Sequence, residues 1–392
     1  MSEYPAVRRV GARQAKTGWL AALLTGAWGL WAAAPAGAQE VAAPECPTCA
    51  AEALIAAIGL EEAPSPVRER PGWSAPRKIV VRGDEAFVRS LAPAAPGVEL
   101  VAAPDHASAV KAVDGADAVI GYCSAELLER GERLRWIQLL SAGAERCVAI
   151  PAIAERGILL TNAQRIYGPE IAEHVIAMMF AFSRGLYAYL PEQLQGRWNR
   201  GAVPRERMWE LDGKTMLVVG LGGIGTEVAH RAHALGMRVV ATRRSSRSGP
   251  EFVDYVGLAD ELVALLAEAD VVVNATPLTA ETEGMFDAAF FAGMKPTAYF
   301  INVGRGRSVV TDDLVAALEA GKLAGAGLDV TDPEPLPPSH PLWRLPNVII
   351  TPHVAASSIE ARERQRIVIR ENLRRYAAGE PMLSVVSVTR GY

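Results

Sequence analysis

Three short segments of this 392-residue chain put polar side chains directly after apolar runs. They are Asn302-Val303-Gly304-Arg305-Gly306, Gly327-Leu328-Asp329-Val330 running on to Pro333-Glu334-Pro335, and Thr351-Pro352-His353. One cation, one carboxylate and one imidazole thus follow three strand-like stretches. Reducing a carbonyl by hydride needs a proton donor at the oxygen and a positive group to orient the substrate. A histidine bonded to a carboxylate suits the first task, because the anion favours the imidazolium and fixes its tautomer. A guanidinium suits the second, since its fork can hold a carboxylate and a keto oxygen together. Each residue alone has a plainer reading: Arg305 as a surface residue after a strand, Glu334 as loop punctuation between prolines, His353 as a satisfied loop histidine. Their convergence at three strand ends favours a site.

A fourth segment supplies the partner for such chemistry. Gly220-Leu221-Gly222-Gly223-Ile224-Gly225 follows Met216-Leu217-Val218-Val219 and leads into a helical stretch. In this strand–turn–helix order the first glycine permits the tight turn and the second lets the backbone approach a pyrophosphate. The third lets the helix pack closely on the strand, with its free N–H groups and positive dipole end toward the phosphates. The motif predicts dinucleotide binding. The next strand runs Arg238-Val239-Val240-Ala241 and continues Thr242-Arg243-Arg244-Ser245-Ser246. An acidic residue at its end would bond the ribose 2′-OH and repel a 2′-phosphate. Here Arg243, 18 residues past Gly225, takes that place. Arg243 and Arg244 with Ser245 as a neutral donor predict a preference for NADPH, with NAD possible as a second cofactor.

The elements that must carry these residues read as alternating α and β. Strand-like runs at 78–81, 98–101, 118–121, 136–140 and 158–161 form a first set, and runs at 215–219, 238–241, 271–274, 299–302, 326–330 and 348–351 a second. The expectation is α/β: two Rossmann-like or flavodoxin-like domains with parallel sheets and a cleft between them. Ligands in such sheets lie beyond the carboxyl ends of the strands. The stretch 169–184 predicts a helix apolar nearly all round, with proline in its first turn and Gly185 past its end, hence one covered by another domain or subunit. The last helix, 358–378, has no place in the second sheet and is expected to return to the first. The domain reading is a signal peptide at 1–38, a linker at 39–77 carrying one short helix around 51–59, a substrate domain at 78–186 and 357–392, and a dinucleotide domain at 187–356.

At these motifs the chain resembles the D-isomer-specific 2-hydroxyacid dehydrogenase family. The similarity rests on the glycine motif, Asn274-Ala275-Thr276-Pro277-Leu278-Thr279, and the three segments above, and it extends over about 78–392. The resemblance implies that Arg305 binds and polarises substrate, that His353 is the acid/base, and that Glu334 pairs with it. It implies that Asp329 meets the nicotinamide carboxamide and that Ser141-Ala142-Gly143 offers N–H groups to the substrate carboxylate. Gly220, Gly222, Gly223, Ile224 and Gly225 become cofactor contacts, as do Thr276, Pro277, Thr279 and Val303. His174 lies in the family's domain-crossing helix and is expected at an interface rather than in catalysis. Within the family, the Ser-Ala-Gly turn, His340-Pro341-Leu342-Trp343 and the terminal Arg390-Gly391-Tyr392 look most like glyoxylate/hydroxypyruvate reductases. The implied ligand is a small 2-oxo or 2-hydroxy acid, and the implied assembly a homodimer. The two other readings are a dinucleotide-sensing binding protein on the same fold and a formate- or phosphite-type dehydrogenase.

Composition bounds the rest. Half the residues are apolar and the formal charge is −4, so no basic field is available to hold nucleic acid. Four cysteines are too few for a disulfide scaffold; Cys46 and Cys49 form a lone CxxC with no zinc partners, idle or locally bridged, and Cys123 and Cys147 are given no chemistry. No metal site is expected. Arg8, Arg9, Arg13 and Lys16, then an apolar stretch, then Ala36-Gly37-Ala38 follow the order of a secretory leader cleaved after Ala38. The apolar stretch is short for a membrane span, and no membrane role beyond the leader is expected. Arg8-Arg9 partly resembles a twin-arginine signal, which carries folded proteins. A periplasmic or exported protein is the expectation, with a cytoplasmic one if the leader is not used.

Overall fold

The computed structural model describes residues 47–244 and 246–391. The leader, Cys46, Ser245 and Tyr392 lie outside the described residues.

Two parallel sheets carry the molecule. The first contains β1 (Lys78–Arg82), β2 (Glu99–Ala103), β3 (Ala118–Ile120), β4 (Trp136–Gln138) and β5 (Leu159–Thr161), in the order β2-β1-β3-β4-β5. The second contains β6 (Thr215–Val219), β7 (Arg238–Thr242), β8 (Tyr255–Gly257), β9 (Val271–Asn274), β10 (Tyr299–Asn302), β11 (Gly325–Leu328) and β12 (Val348–Ile350), in the order β12-β11-β10-β9-β6-β7-β8. The first is the flavodoxin-like order and the second the doubly wound dinucleotide order, whose direction reverses between β6 and β9. β8 escapes a sequence reading because it is three residues long and starts on an exposed tyrosine.

Both sheets are covered on two faces, so the middles of their strands are mostly apolar and the period of two only sorts residues between layers. Leu217, Val219, Val272 and Phe300 join the Phe286–Phe290–Phe291 layer. Met216, Val218, Val271, Val273 and Ile301 face the opposite layer, with Ile171, Val175, Met178 and Val228. In the first sheet, Ile79, Val81, Ala118, Ile120 and Trp136 pack on Ile369, Leu373 and Tyr376 of the helix Ile359–Ala378. That helix therefore does return to the first sheet.

Of the two covers expected for the helix Gly168–Ser183, another domain or another subunit, the structure shows the first: Met178 and Phe182 lie against Gly327 of β11, and Phe182 stacks on Tyr299. A cluster of open apolar surface lies on the next helix, Leu186–Leu194, and just beyond its end, with Leu194 86% and Trp198 89% exposed. Residues 47–77, expected as linker, are packed structure. Leu54, Ile55 and Ile58 of the helix Pro47–Ile58 sit with Leu60 against Ile166, Val368 and Leu383, and Val67 is buried. Main-chain bonds from Ala63 and Val67 to Met382 and Glu380 and an ion pair from Glu62 to Arg375 fasten the segment to the C-terminal stretch. An Ala- and Pro-rich composition hides this because only a few well-spaced aliphatics are needed.

Candidate active site

β12, β11 and β10 are neighbours, so the loops after Ile350, Leu328 and Asn302 emerge side by side. A pair of fully buried amides holds the Arg305 loop. Asn274 Nδ2 donates to Asn302 Oδ1 at 2.9 Å and to Ser308 Oγ at 2.8 Å, while its Oδ1 accepts from the Thr276 N–H and hydroxyl. Asn302 Oδ1 also accepts the Gly304 N–H, and both Asn302 and Ser308 donate to the Arg305 carbonyl. Unpaired amides at zero exposure would each cost about 1–3 kcal/mol, so the network specifies one loop geometry.

The His353 loop is held by Asp329, which is nearly fully buried. Its carboxylate accepts the Thr351 hydroxyl at 2.7 Å and the N–H groups of Val354 and Ala355 at 2.9 and 3.0 Å. The His353 N–H donates to the Asp329 carbonyl at 2.8 Å. His353 itself sits at φ 54°, a left-handed conformation costing an L-residue roughly 1–2 kcal/mol. The surrounding bonds hold it there. Its Nδ1 lies 2.7 Å from Glu334 Oε1, both side chains about half exposed to the cleft. His174 stands apart from this pair: its Nε2 is 2.9 Å from the Thr351 hydroxyl, so it braces the loop from the helix Gly168–Ser183.

The first sheet contributes from across the cleft. In the turn after β4, the Ser141 carbonyl accepts the Ala163 N–H and the Ala142 carbonyl accepts from Asn162 Nδ2. The turn's oxygens are thereby tied back into the first sheet. Gly143 lies directly against the Arg305 guanidinium, leaving no room for a Cβ. Two residues on, Glu145 Oε1 accepts from Arg305 Nε at 2.8 Å. Burial works to raise the Glu145 pKa, but the Arg305 charge and hydrogen bond outweigh it and hold the carboxyl below its ordinary value. Cys147, in the same short helix as Glu145, is disulfide-bonded to Cys123 beyond β3, and Cys49 is also disulfide-bonded. Sequence reasoning misses both features. Glu145 is 160 residues from Arg305 in sequence, and Cys123 is 24 from Cys147. The available signal is an acid shortly after a glycine turn and two cysteines beyond neighbouring strands.

The glycine turn sits at the β6/β9 reversal. Gly220 has φ 97° and lies against Ala275 and Thr276, and Gly225 lies so close to the Gly220 carbonyl that no side chain fits. Nothing among the described residues occupies the space beside Gly222. The cradle therefore fits a dinucleotide pyrophosphate, approached at Gly222 and at the N-terminus of the helix Gly223–Ala234. Thr276 walls the turn, Val303 is buried with its N–H on the Asn274 carbonyl, and the Pro277 carbonyl accepts the Thr282 hydroxyl. Thr279 is engaged with Thr282 and Glu281. Past β7, Arg243 donates to the Ser248 carbonyl at 2.9 Å, and Arg244 lies 3.6 Å from Glu281 in an exposed pair.

A pyrophosphate-type turn and an imidazole–carboxylate pair on one parallel sheet, faced by a second sheet across a cleft, define a dinucleotide-binding α/β protein equipped for proton transfer. Residues 176–355 match the D-isomer specific 2-hydroxyacid dehydrogenase NAD binding domain. A glyoxylate reductase/hydroxypyruvate reductase of Mus musculus is 35% identical over 255 residues, 65% of this chain and 77% of that protein. An NADPH-dependent glyoxylate/hydroxypyruvate reductase of Sinorhizobium meliloti, solved with NADP and sulfate, matches at TM-score 0.69 and 30% identity over 81% of this chain and 100% of that one. A D-isomer specific 2-hydroxyacid dehydrogenase of Xanthobacter autotrophicus with NADPH and MES matches at TM-score 0.70 and 28% identity, again over 81% and 100%. The chain belongs to the D-isomer-specific 2-hydroxyacid dehydrogenase family.

Proposed function

We propose that this chain reduces a small 2-oxo acid of the glyoxylate or hydroxypyruvate kind to the D-2-hydroxy acid, with NADPH preferred. The observation that carries the reading is the 2.7 Å His353–Glu334 pair on the sheet edge that also holds Arg305. When bound, the nicotinamide supplies the hydride. Arg305 holds the substrate carboxylate and polarises the keto oxygen, and the N–H groups of Ser141, Ala142 and Gly143 receive the carboxylate. His353 delivers the proton to the developing alkoxide from Nε2, while Glu334 on Nδ1 stabilises the imidazolium. Thr276, Pro277, Thr279, Val303 and Asp329 are assigned to the cofactor on the same reading. The test is a spectrophotometric screen of 2-oxo acids with both reduced cofactors. Consumption of NADPH with glyoxylate or hydroxypyruvate is expected. Turnover only with formate or phosphite in the oxidative direction, or cofactor binding without any turnover, overturns the reading. Equal kcat/KM for NADPH and NADH removes the cofactor preference.

Assembly and location belong to the same proposal. The exposed Leu186, Leu190, Leu194 and Trp198 support a homodimer, because a monomer gains nothing by presenting that much apolar surface. Sedimentation showing a monomer well above micromolar concentration contradicts it. The leader sequence, together with the bonded Cys123–Cys147 pair, supports export to an oxidising compartment. Cell fractionation with N-terminal sequencing decides it, an uncleaved cytosolic product ending the export reading.

A further inference from the structure

The Arg305 guanidinium has three faces, and the structure fills two of them. Nη1 donates to the Gly304 carbonyl at 2.8 Å, a bond inside its own loop. Nε donates to Glu145 Oε1 at 2.8 Å, a bond that crosses from one sheet's edge to the other. Nη2 lies against Gly143, the last residue of the turn assigned to the substrate carboxylate. Both charged side chains are only 28% exposed. Glu145 is placed for this by its own segment. It opens a one-turn helix directly after the turn, and the Cys147–Cys123 disulfide two residues later fastens that helix to the loop beyond β3.

We propose that Glu145 is a positioning residue for 2-oxo acid reduction: by taking Arg305 through Nε, it fixes the plane of the guanidinium so that its Nη edge faces the substrate on the 141–143 turn. The inference rests on the reading of the site as a 2-oxo acid reductase. An arginine on a loop has several rotamers, and a fork matches a carboxylate and a keto oxygen in only one plane. Holding that plane before the substrate arrives removes reorganisation from the reacting complex, where a displacement of about 1 Å can cost 10²-fold in rate. A carboxylate beside an anion site also repels the substrate. The geometry accepts weaker ground-state binding in return for orientation, which sets this role apart from a substrate-binding one. Gly143 leaves room for this arrangement, since a side chain at 143 would push the guanidinium out of the turn.

The experiment measures kcat and KM for glyoxylate and hydroxypyruvate in wild type, Glu145→Gln and Glu145→Asp, each alone and with Arg305→Lys. NADPH affinity by fluorescence and thermal melting are read on every variant. Glu145→Gln is expected to lower kcat about 10- to 100-fold. Its KM should stay level or fall, NADPH affinity should hold, and Glu145→Asp should recover part of the rate because the charge remains. In the Arg305→Lys background, which lacks Nε and the fork, Glu145→Gln should change kcat less than about threefold, since coupled partners lose their effect together. A Glu145→Gln enzyme within about twofold of wild type overturns the inference. So does a rise in kcat/KM, which would make Glu145 a competitor of substrate, and so does an undiminished effect in the Arg305→Lys background, which would make its role structural. A wild-type chain that turns over no 2-oxo acid overturns the parent reading and this one with it; turnover in wild type with any of the contrary outcomes overturns this one alone.

Discussion

The two sheet edges that face the cleft are held by opposite means. The edge of β10–β12 is fixed from within. Asn274, Asn302 and Ser308 bind the Arg305 loop and Asp329 binds the His353 loop, all through groups a few residues from a strand end in the same sheet. The edge of β3–β5 has one tie of that kind, Asn162 on the turn, and otherwise relies on the Cys123–Cys147 disulfide and on Glu145 bonded to Arg305 of the other sheet. The contrast shows where precision resides. An internally satisfied edge holds its loop backbones whatever the opposite edge does, while the Arg305 side chain still takes its partner, Glu145, from across the cleft. An edge tied by distant groups adjusts when any one tie is cut.

The strongest test of the internally held edge is His353→Ala. Loss of general acid catalysis is expected to lower turnover by about 10²–10⁴-fold while NADPH still binds, because the cofactor cradle is built at β6 and β9. Near-normal turnover removes His353 from the chemistry. Cutting the disulfide with paired Cys123→Ser and Cys147→Ser substitutions tests the other edge. Opening a crosslink of 24-residue separation should cost about 3 kcal/mol, read as a lower melting temperature, and should raise KM more than it lowers kcat. An unchanged KM would mean that the turn needs no tether. Asn302→Ala removes one of the two acceptors of the Asn274 amide and the acceptor of the Gly304 N–H and should destabilise by about 1–3 kcal/mol, with kcat falling as the Arg305 loop loosens. A stable variant with full activity would show that the amide pair does not set that loop. The smallest effect on either edge is expected where neither is touched. Arg243→Asp in the exposed loop after β7 should reverse the NADPH preference by about 10- to 100-fold in kcat/KM, as loss of one or two charge-assisted bonds implies. Its melting temperature should stay level, because the Arg243 side chain makes only one bond among the described residues, to the Ser248 carbonyl.

Local chemistry makes much of this legible in the sequence. Gly220-Leu221-Gly222-Gly223-Ile224-Gly225 can be read because Gly220, Gly222 and Gly225 answer constraints within six residues of chain: a left-handed turn, an open approach, a contact with the Gly220 carbonyl. Arg305, Glu334 and His353 can be read because each directly follows a buried strand or lies in the loop beyond it, and parallel strands deliver such residues to one edge. The strands other than β8 are visible as short, mostly apolar runs, with ends shifted by a residue or two. Other features need the folded chain. Whether the helix Gly168–Ser183 meets its own sheet or another copy, whether residues 47–77 pack or trail, which cysteines bond, and which acid reaches Arg305 all depend on distances between segments far apart in sequence. A residue's type and its near neighbours set what it can do; only closure of the chain sets what it touches. Glu145 looks like any exposed acid in the sequence, and it becomes the partner of Arg305 because β4 and β10 bring their loops to opposite sides of one cleft.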